Sequence, residues 1–211
     1  TTGATAGADY RLSKHWVMGA GLAVLDTDTK FSTGSGRQFA KGRSVTVYGS
    51  WMPNPAWYVD AALSIDRSRY ELQRDDPVGD AAFARTKGQG KGLTLSAGYD
   101  RRWGAWMLSP FARAEVVDVR IQPFEEFGSV NSLEVGQQRV KSGNFTLGGQ
   151  LQYNFSSSWG IVMPYARLEA TRTFEDNTSP VRVRLVGSST AVLLDESTEL
   201  RDQSFGNAAI G

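Results

Sequence analysis

Residues 93–100 alternate without interruption. Leu93, Leu95, Ala97 and Tyr99 fall on one side of an extended chain, and Thr94, Ser96, Gly98 and Asp100 on the other. An apolar period of two restricts the segment to a β-strand with one apolar and one polar face. A short break follows, Arg101-Arg102-Trp103-Gly104-Ala105. The alternation then resumes with Leu108, Ala112, Ala114 and Val116 opposite Ser109, Arg113 and Glu115. This pattern predicts a long hairpin whose tight turn is framed by Trp103 and Trp106.

The unit recurs along the chain. Ala4, Ala6, Ala8 and Tyr10 form one apolar face and, after a break at Leu12–His15, Trp16, Met18, Ala20, Leu22 and Val24 form the next; a polar loop is expected over Asp26–Gly36. A third run spans about 43–51 with Val45, Val47 and Trp51, and Met52-Pro-Asn-Pro-Ala56 reads as a turn. The fourth carries Trp57, Val59, Ala61, Leu63 and Ile65, then Arg67, Arg69 and Glu71, before a long polar loop from Gln73 to Gly92. Within that loop Gly88-Gln-Gly-Lys-Gly92 lacks the strand-to-helix setting of a phosphate loop and is expected to be a flexible tip. A second long loop covers Gln122–Val140. Phe145, Leu147, Leu151, Tyr153 and Phe155 precede a turn at Ser156–Ser158, and Val162, Pro164, Ala166, Leu168 and Ala170 follow it. The third long segment, about 175–203, holds Val181–Leu185 as a candidate strand extension, and Phe205–Gly211 starts a ninth strand.

Short breaks near 13, 54, 103 and 157 thus alternate with long polar segments near 33, 82, 130 and 189. All six tryptophans (Trp16, Trp51, Trp57, Trp103, Trp106 and Trp159) lie by the short breaks. A soluble sandwich has no reason to sort its tryptophans to one end. A membrane barrel has one, because amphipathic rings collect at the interface. The expected fold is therefore all-β, a transmembrane antiparallel up-and-down β-barrel.

Composition narrows the chemistry. The absence of cysteine excludes disulfides, thiolate metal sites and cysteine nucleophiles, and the single histidine, His15, leaves little for a histidine-based zinc or triad site. A net charge of +1 gives no ground for a nucleic-acid partner. No run of about 18 apolar residues or signal peptide is seen. An enzyme is the least favoured class, and no metal or other cofactor is expected.

Charges within the strands fix the faces. Pro110-Phe-Ala-Arg-Ala-Glu115 and Pro164-Tyr-Ala-Arg-Leu-Glu169 repeat at equivalent places, with Arg and Glu two residues apart on one face. A charge facing lipid near the midplane costs about 2–4 kcal/mol. Asp60, Asp100, Arg113, Glu115, Arg167 and Glu169 are accordingly assigned to the lumen, as a charge lattice or as contacts to a transiting peptide. Leu93, Leu95 and Leu108 are assigned to lipid. Both prolines are expected just inside their strands, where a missing donor does least damage. Asp26, Asp28, Glu125 and Glu126 are candidates to bind Ca²⁺, or sugar-phosphate through divalent ions, but their spacing does not match a Ca²⁺ loop and favours solvated loop carboxylates. His15 is expected as a turn residue.

Several segments resemble the translocator domain of autotransporters, the type V secretion barrel of Gram-negative bacteria. They are Gly7-Ala-Asp-Tyr-Arg-Leu12 with Gly19-Ala-Gly21, Trp57-Tyr-Val-Asp-Ala-Ala-Leu63, Leu93–Asp100, Ser109-Pro-Phe-Ala-Arg113, Glu125-Glu126, Leu147-Gly-Gly149, Trp159-Gly160 with Pro164-Tyr-Ala-Arg167, and Arg201-Asp202 before Phe205-Gly206. The resemblance implies one barrel domain over residues 1–211, incomplete at both ends, with eight or nine strands of a family total of twelve. The first strand, its pore helix, the last two strands and the terminal aromatic residue would lie outside the sequence. It also implies an outer-membrane barrel that anchors and translocates an N-terminal passenger. Short turns would be periplasmic and long loops extracellular. The implied partners are outer-membrane lipid and lipopolysaccharide, the barrel-assembly machinery and the passenger itself. A passive channel of the same architecture is the alternative, and a lipocalin-like soluble binder a more distant one.

Overall fold

A computed structural model describes residues 1–31, 36–76, 79–178, 180–194 and 204–211. Arg201 and Asp202 lie outside the described residues. The strands are β1 (Thr2–Arg11), β2 (Trp16–Lys30), β3 (Gly36–Asn54), β4 (Trp57–Arg74), β5 (Ala82–Tyr99), β6 (Arg101–Trp103), β7 (Trp106–Ile121) and β8 (Phe124–Glu125). They continue as β9 (Leu133–Val135), β10 (Gln138–Tyr153), β11 (Phe155–Ser157), β12 (Gly160–Val162), β13 (Tyr165–Thr178), β14 (Val181–Leu185), β15 (Ala191–Leu194) and β16 (Ser204–Ile210).

One sheet runs in the order β1-β2-β3-β4-β5-β7-β10-β13-β16, with β6 paired to β7. Every pairing in it is antiparallel and joins consecutive long strands, which is the up-and-down meander expected. β1 and β16 stand at opposite ends of the order.

The register gives the sheet two chemically distinct faces. Leu22, Val45 and Ile65 sit in one cross-strand row, and Val47, Leu63, Leu93 and Val116 in the next. This aliphatic face is the exposed one: Leu22 is 62% accessible, Ile65 58% and Leu168 68%. The opposite, small and polar face is the more shielded. A soluble protein inverts this arrangement, whereas a barrel in lipid requires it. The apolar stretch runs over Trp16–Val24 in β2, Trp57–Ile65 in β4 and Trp106–Val116 in β7. Each has the 9–11 residues that a tilted strand needs to cross a bilayer. Residues beyond those limits on either side lie outside the membrane-spanning segments.

Local chemistry closes the short turns. Gly104 has φ 60° and no non-glycine residue among the described ones has positive φ, so the Trp103–Trp106 connection follows the type II′ pattern with glycine first. Asn54 Oδ1 accepts from the backbone N–H of Ala56 at 2.9 Å and of Trp57 at 3.1 Å, pre-forming the next turn. His15 Nδ1 donates to the Met52 carbonyl at 2.9 Å and Met52 N–H returns a bond to the His15 carbonyl, tying adjacent short turns together.

The strands are longer than the alternation indicates. β2 persists to Lys30 and β3 starts at Gly36, so most of the expected 26–36 loop is ladder. Most of the expected 73–92 loop is the upper half of β5, and Gly88–Gly92 is paired strand instead of a tip. Gly88 and Gly90 face the ring of Tyr70 and the side chain of Asp66 on β4, so glycine there makes room for bulky cross-strand neighbours. With polar residues on one face and mostly alanine and glycine on the other, such a strand carries no apolar period.

The segment 122–140 contains β8, β9 and the start of β10. Val181–Leu185 is a strand, though it pairs with β9 and β15 in a separate four-stranded sheet of loop residues. Pro110 lies inside β7, where the β5 partners stop at Gly98 and the β6 partners start at Arg101. Pro164 sits one residue ahead of β13, not within it.

Candidate functional site

On the shielded face, strands β4, β5, β7, β10 and β13 bring charged residues from distant parts of the chain side by side. Asp60 lies between two hydroxyls: Ser50 donates to Oδ1 at 2.5 Å and Ser96 to Oδ2 at 3.4 Å. Arg113 is flanked in the register by Ser96 and Thr146, and Glu115 by Thr94 and Asn144. Arg167 Nε donates to Glu169 Oε1 at 2.7 Å. The two sequence repeats therefore differ, because Arg113 and Glu115 form no ion pair among the described residues.

Aromatic rings organise these charges, and sequence reasoning passed over them. The guanidinium of Arg167 stands 4.8 Å from the Phe111 ring centre and that of Arg113 stands 5.6 Å from it. The Tyr58 ring lies against Gly98, its register partner on β5. Asp100 itself is off the ladder, in the gap between β5 and β6, where its N–H bonds the Ala56 carbonyl. Thr146 and Thr171 form a buried hydroxyl pair at 2.9 Å on the same face.

At the short-turn end the aliphatic face gives way to rings. Trp16 and Trp51 stack with centroids 6.1 Å apart. Trp57 meets Tyr99, and Trp106 meets Tyr153, each at 4.8 Å. Trp103 is paired with Trp106, and Trp159 occupies the β11–β12 turn, 77% exposed. All six tryptophans thus stand at one end, with Tyr99 and Tyr153 as members not anticipated. Their positions opposite tryptophans on neighbouring strands would have revealed them once the register was known.

At the long-loop end two of the carboxylates considered as cation ligands, Asp28 and Glu126, are engaged by arginines. Asp28 pairs with Arg37, whose Nε donates to Oδ1 at 2.8 Å; that bond holds the Asp28 carboxyl below its ordinary value. Glu126 is buried and accepts from Arg74 Nε at 3.0 Å, Arg74 Nη2 at 2.6 Å and the Leu133 N–H at 3.0 Å. The Glu126 bond raises the pKa of Arg74, which also donates to the Asn131 carbonyl at 2.9 Å. With Ala82, Ala84 and Val135 buried beside it, this clamp folds the segment after β7 onto the tips of β4 and β5. Among the described residues no cluster of three or more metal-ligating side chains occurs.

The arrangement is one of two chemically contrasting surfaces. The family model of the autotransporter β-domain matches residues 1–209. Among curated proteins, the esterase EstA of Pseudomonas aeruginosa is 27% identical over 191 residues, and serotype-specific antigen 1 of Mannheimia haemolytica is 21% identical over 156 residues. The matches cover 86% and 74% of this chain, but it spans only 29% and 16% of those proteins' lengths. The esterase activity belongs to that protein, and the shared stretch is the β-domain. Two solved structures share the fold. The β-domain of the Bordetella autotransporter BrkA has a TM-score of 0.66 at 23% identity, covering 99% of this chain and 83% of that one. The translocator domain of NalP from Neisseria meningitidis has 0.70 at 13%, covering 99% and 73%. A family match over nearly the whole chain, joined to a sheet with an exposed aliphatic face, means that this chain belongs to the autotransporter β-domain family.

Proposed function

We propose that the chain is part of an outer-membrane barrel that anchors a passenger domain and carries it to the cell surface. The observation that carries this reading is the inverted sheet of a chain in the autotransporter β-domain family: aliphatic residues exposed on one face, charged and hydroxyl residues shielded on the other. Asp60, Arg113, Glu115, Arg167 and Glu169 then line the lumen as a charge lattice that holds strand register and wets the passage, with Asp100 at its short-turn rim. The mechanism is structural and uses no catalytic residue. Closure satisfies the backbone, lipid receives the aliphatic band, and the passenger passes a polar wall.

The tryptophan end faces the periplasm and the long loops face outward. Outer-leaflet lipopolysaccharide and the barrel-assembly machinery are the further partners of such a barrel. The test is an epitope tag placed upstream of Thr1 in the full-length protein and a second tag between Gly187 and Thr190. Both tags are expected on intact cells, and protease added outside should remove both. Recovery of the protein in the soluble fraction, or protection of the loop tag on intact cells, would overturn the proposal.

A further inference from the structure

Above the aliphatic band, on the same face, the register sets like charges directly opposite one another. Arg43 pairs with Arg67, Lys41 with Arg69, and Arg69 in turn with Lys87 on the next strand. All five are exposed, and none takes part in an ion pair among the described residues. Their neighbours are neutralised: Arg85 has Glu71, and Arg120 has Asp118. Directly opposed like charges destabilise an antiparallel pair. Asp26 on β2 stands opposite Lys41, but Arg43, Arg67, Arg69 and Lys87 have no carboxylate opposite them in the register, and a surface that concentrates such cations is suited to an anion from outside the chain.

The apolar side identifies the kind of anion. Val24 adjoins Arg43, and Val45 with Ile65 lies one row below Arg43 and Arg67, exposed and on the same face. A ligand with phosphate at one end and acyl chains at the other would cover both zones. Free phosphate would leave the aliphatic zone bare, and an acidic soluble protein would oppose charge to hydrocarbon. Three strands spaced about 4.8 Å apart spread the cations over about 10 Å, wide enough for two phosphates. Guanidinium forks bind phosphate through two bonds at once, which suits the arginines at the centre. At the other end of the same face of these strands Trp51, Trp57 and Tyr99 occupy the corresponding zone, so the opposed cations are confined to one end.

We propose that Lys41, Arg43, Arg67, Arg69 and Lys87 form a docking site for a phosphorylated lipid of the outer leaflet, with phosphates on the basic rows and acyl chains on the aliphatic band. This rests on the proposed outward direction of the long loops. The full-length protein, folded in uncharged maltoside micelles, is titrated with diphosphoryl lipid A, with the same lipid dephosphorylated, and with inorganic phosphate. Affinity and thermal midpoint are followed.

Diphosphoryl lipid A alone should raise the midpoint. Arg67→Gln with Arg69→Gln should weaken its affinity about tenfold while raising the lipid-free midpoint, because repulsion is relieved. Arg67→Lys with Arg69→Lys should keep most of the affinity. Equal binding of the dephosphorylated lipid, equal stabilisation by inorganic phosphate, or unchanged affinity in the glutamine variant would each overturn the site. Failure of the wild type to fold in micelles, or periplasmic labelling of the long loops, would instead sink the membrane reading first, and the site with it.

Discussion

The ring of Phe111 on β7 lies over Gly148, its register partner on β10, so closely that a Cβ added to the glycine would stand 2.5 Å from the ring edge. The same relation joins Tyr48 to Gly19, and Phe174, which the register skips at the β10–β13 irregularity, lies as closely over Gly143. An aromatic side chain laid flat over a neighbouring glycine covers bare backbone and fixes register. At Phe111 it also holds the two guanidinium groups of the shielded face in place.

Gly148→Ala should therefore destabilise the folded barrel by about 1–3 kcal/mol, the usual cost of overpacking. The ring has little room to yield, since the Leu168 carbonyl oxygen lies 3.0 Å from the new Cβ on the other side. Gly149→Ala is the control: its Cβ would meet only the Pro110 backbone at 3.9 Å and Ser109 at 4.0 Å. Urea midpoints in micelles should separate the two variants. Equal midpoints would show that the ring moves freely.

Asp60 gives the second expectation. Its carboxylate takes hydrogen bonds from Ser50 on β3 and Ser96 on β5, stitching three strands at one level. Asp60→Ala should cost about 1–3 kcal/mol, because two part-buried hydroxyls lose a charged acceptor. Asp60→Asn keeps one acceptor oxygen and should lose less. The same urea series reads both, and an alanine variant as stable as wild type would mean that water replaces the carboxylate without loss.

Much of this was legible in the sequence because period two is a geometric property of strands. Leu93, Leu95 and Leu108 share the exposed aliphatic face as expected, and Arg113, Glu115, Arg167 and Glu169 share the shielded one. The rest was hidden for two physical reasons. Strand extensions such as Lys87–Lys91 carry lysine and glutamine on one face and only glycine on the other, so no apolar contrast marks them. Contacts such as Arg74 with Glu126, or Tyr58 with Gly98, depend on which strands become neighbours and in what register. Alternation along one strand contains no such information.

The Arg74–Glu126 clamp yields a prediction on the long-loop end. Arg74→Ala leaves the buried Glu126 carboxylate without its main partner, and should open the segment 122–137 at a cost of about 2 kcal/mol. That is less than for a fully buried pair, because solvent reaches Arg74. Glu126→Ala removes the acceptor of the Leu133 N–H as well and should also open it. Faster protease cleavage within 124–135, with the global unfolding midpoint unchanged, is the expected signature. A fall in both together would place the clamp in the cooperative core instead.

Asp28 and Arg37 close the tip between β2 and β3, beyond the apolar band, through a two-bonded ion pair. The bond from Arg37 lowers the pKa of Asp28 in the folded state relative to the unfolded chain. The contribution is therefore fully present above the unfolded value of about 3.9 and fades as pH falls through the lower folded value. Raising the pH from 5 to 8 should do nothing to it. Hydrogen exchange of peptides covering 26–31 and 36–40, corrected for intrinsic rates, should accelerate only in the acid range. In Asp28→Asn the charged acceptor is gone at every pH, so exchange should be faster at neutral pH and no longer respond to acid. An unchanged acid response in that variant would assign the titration to another group.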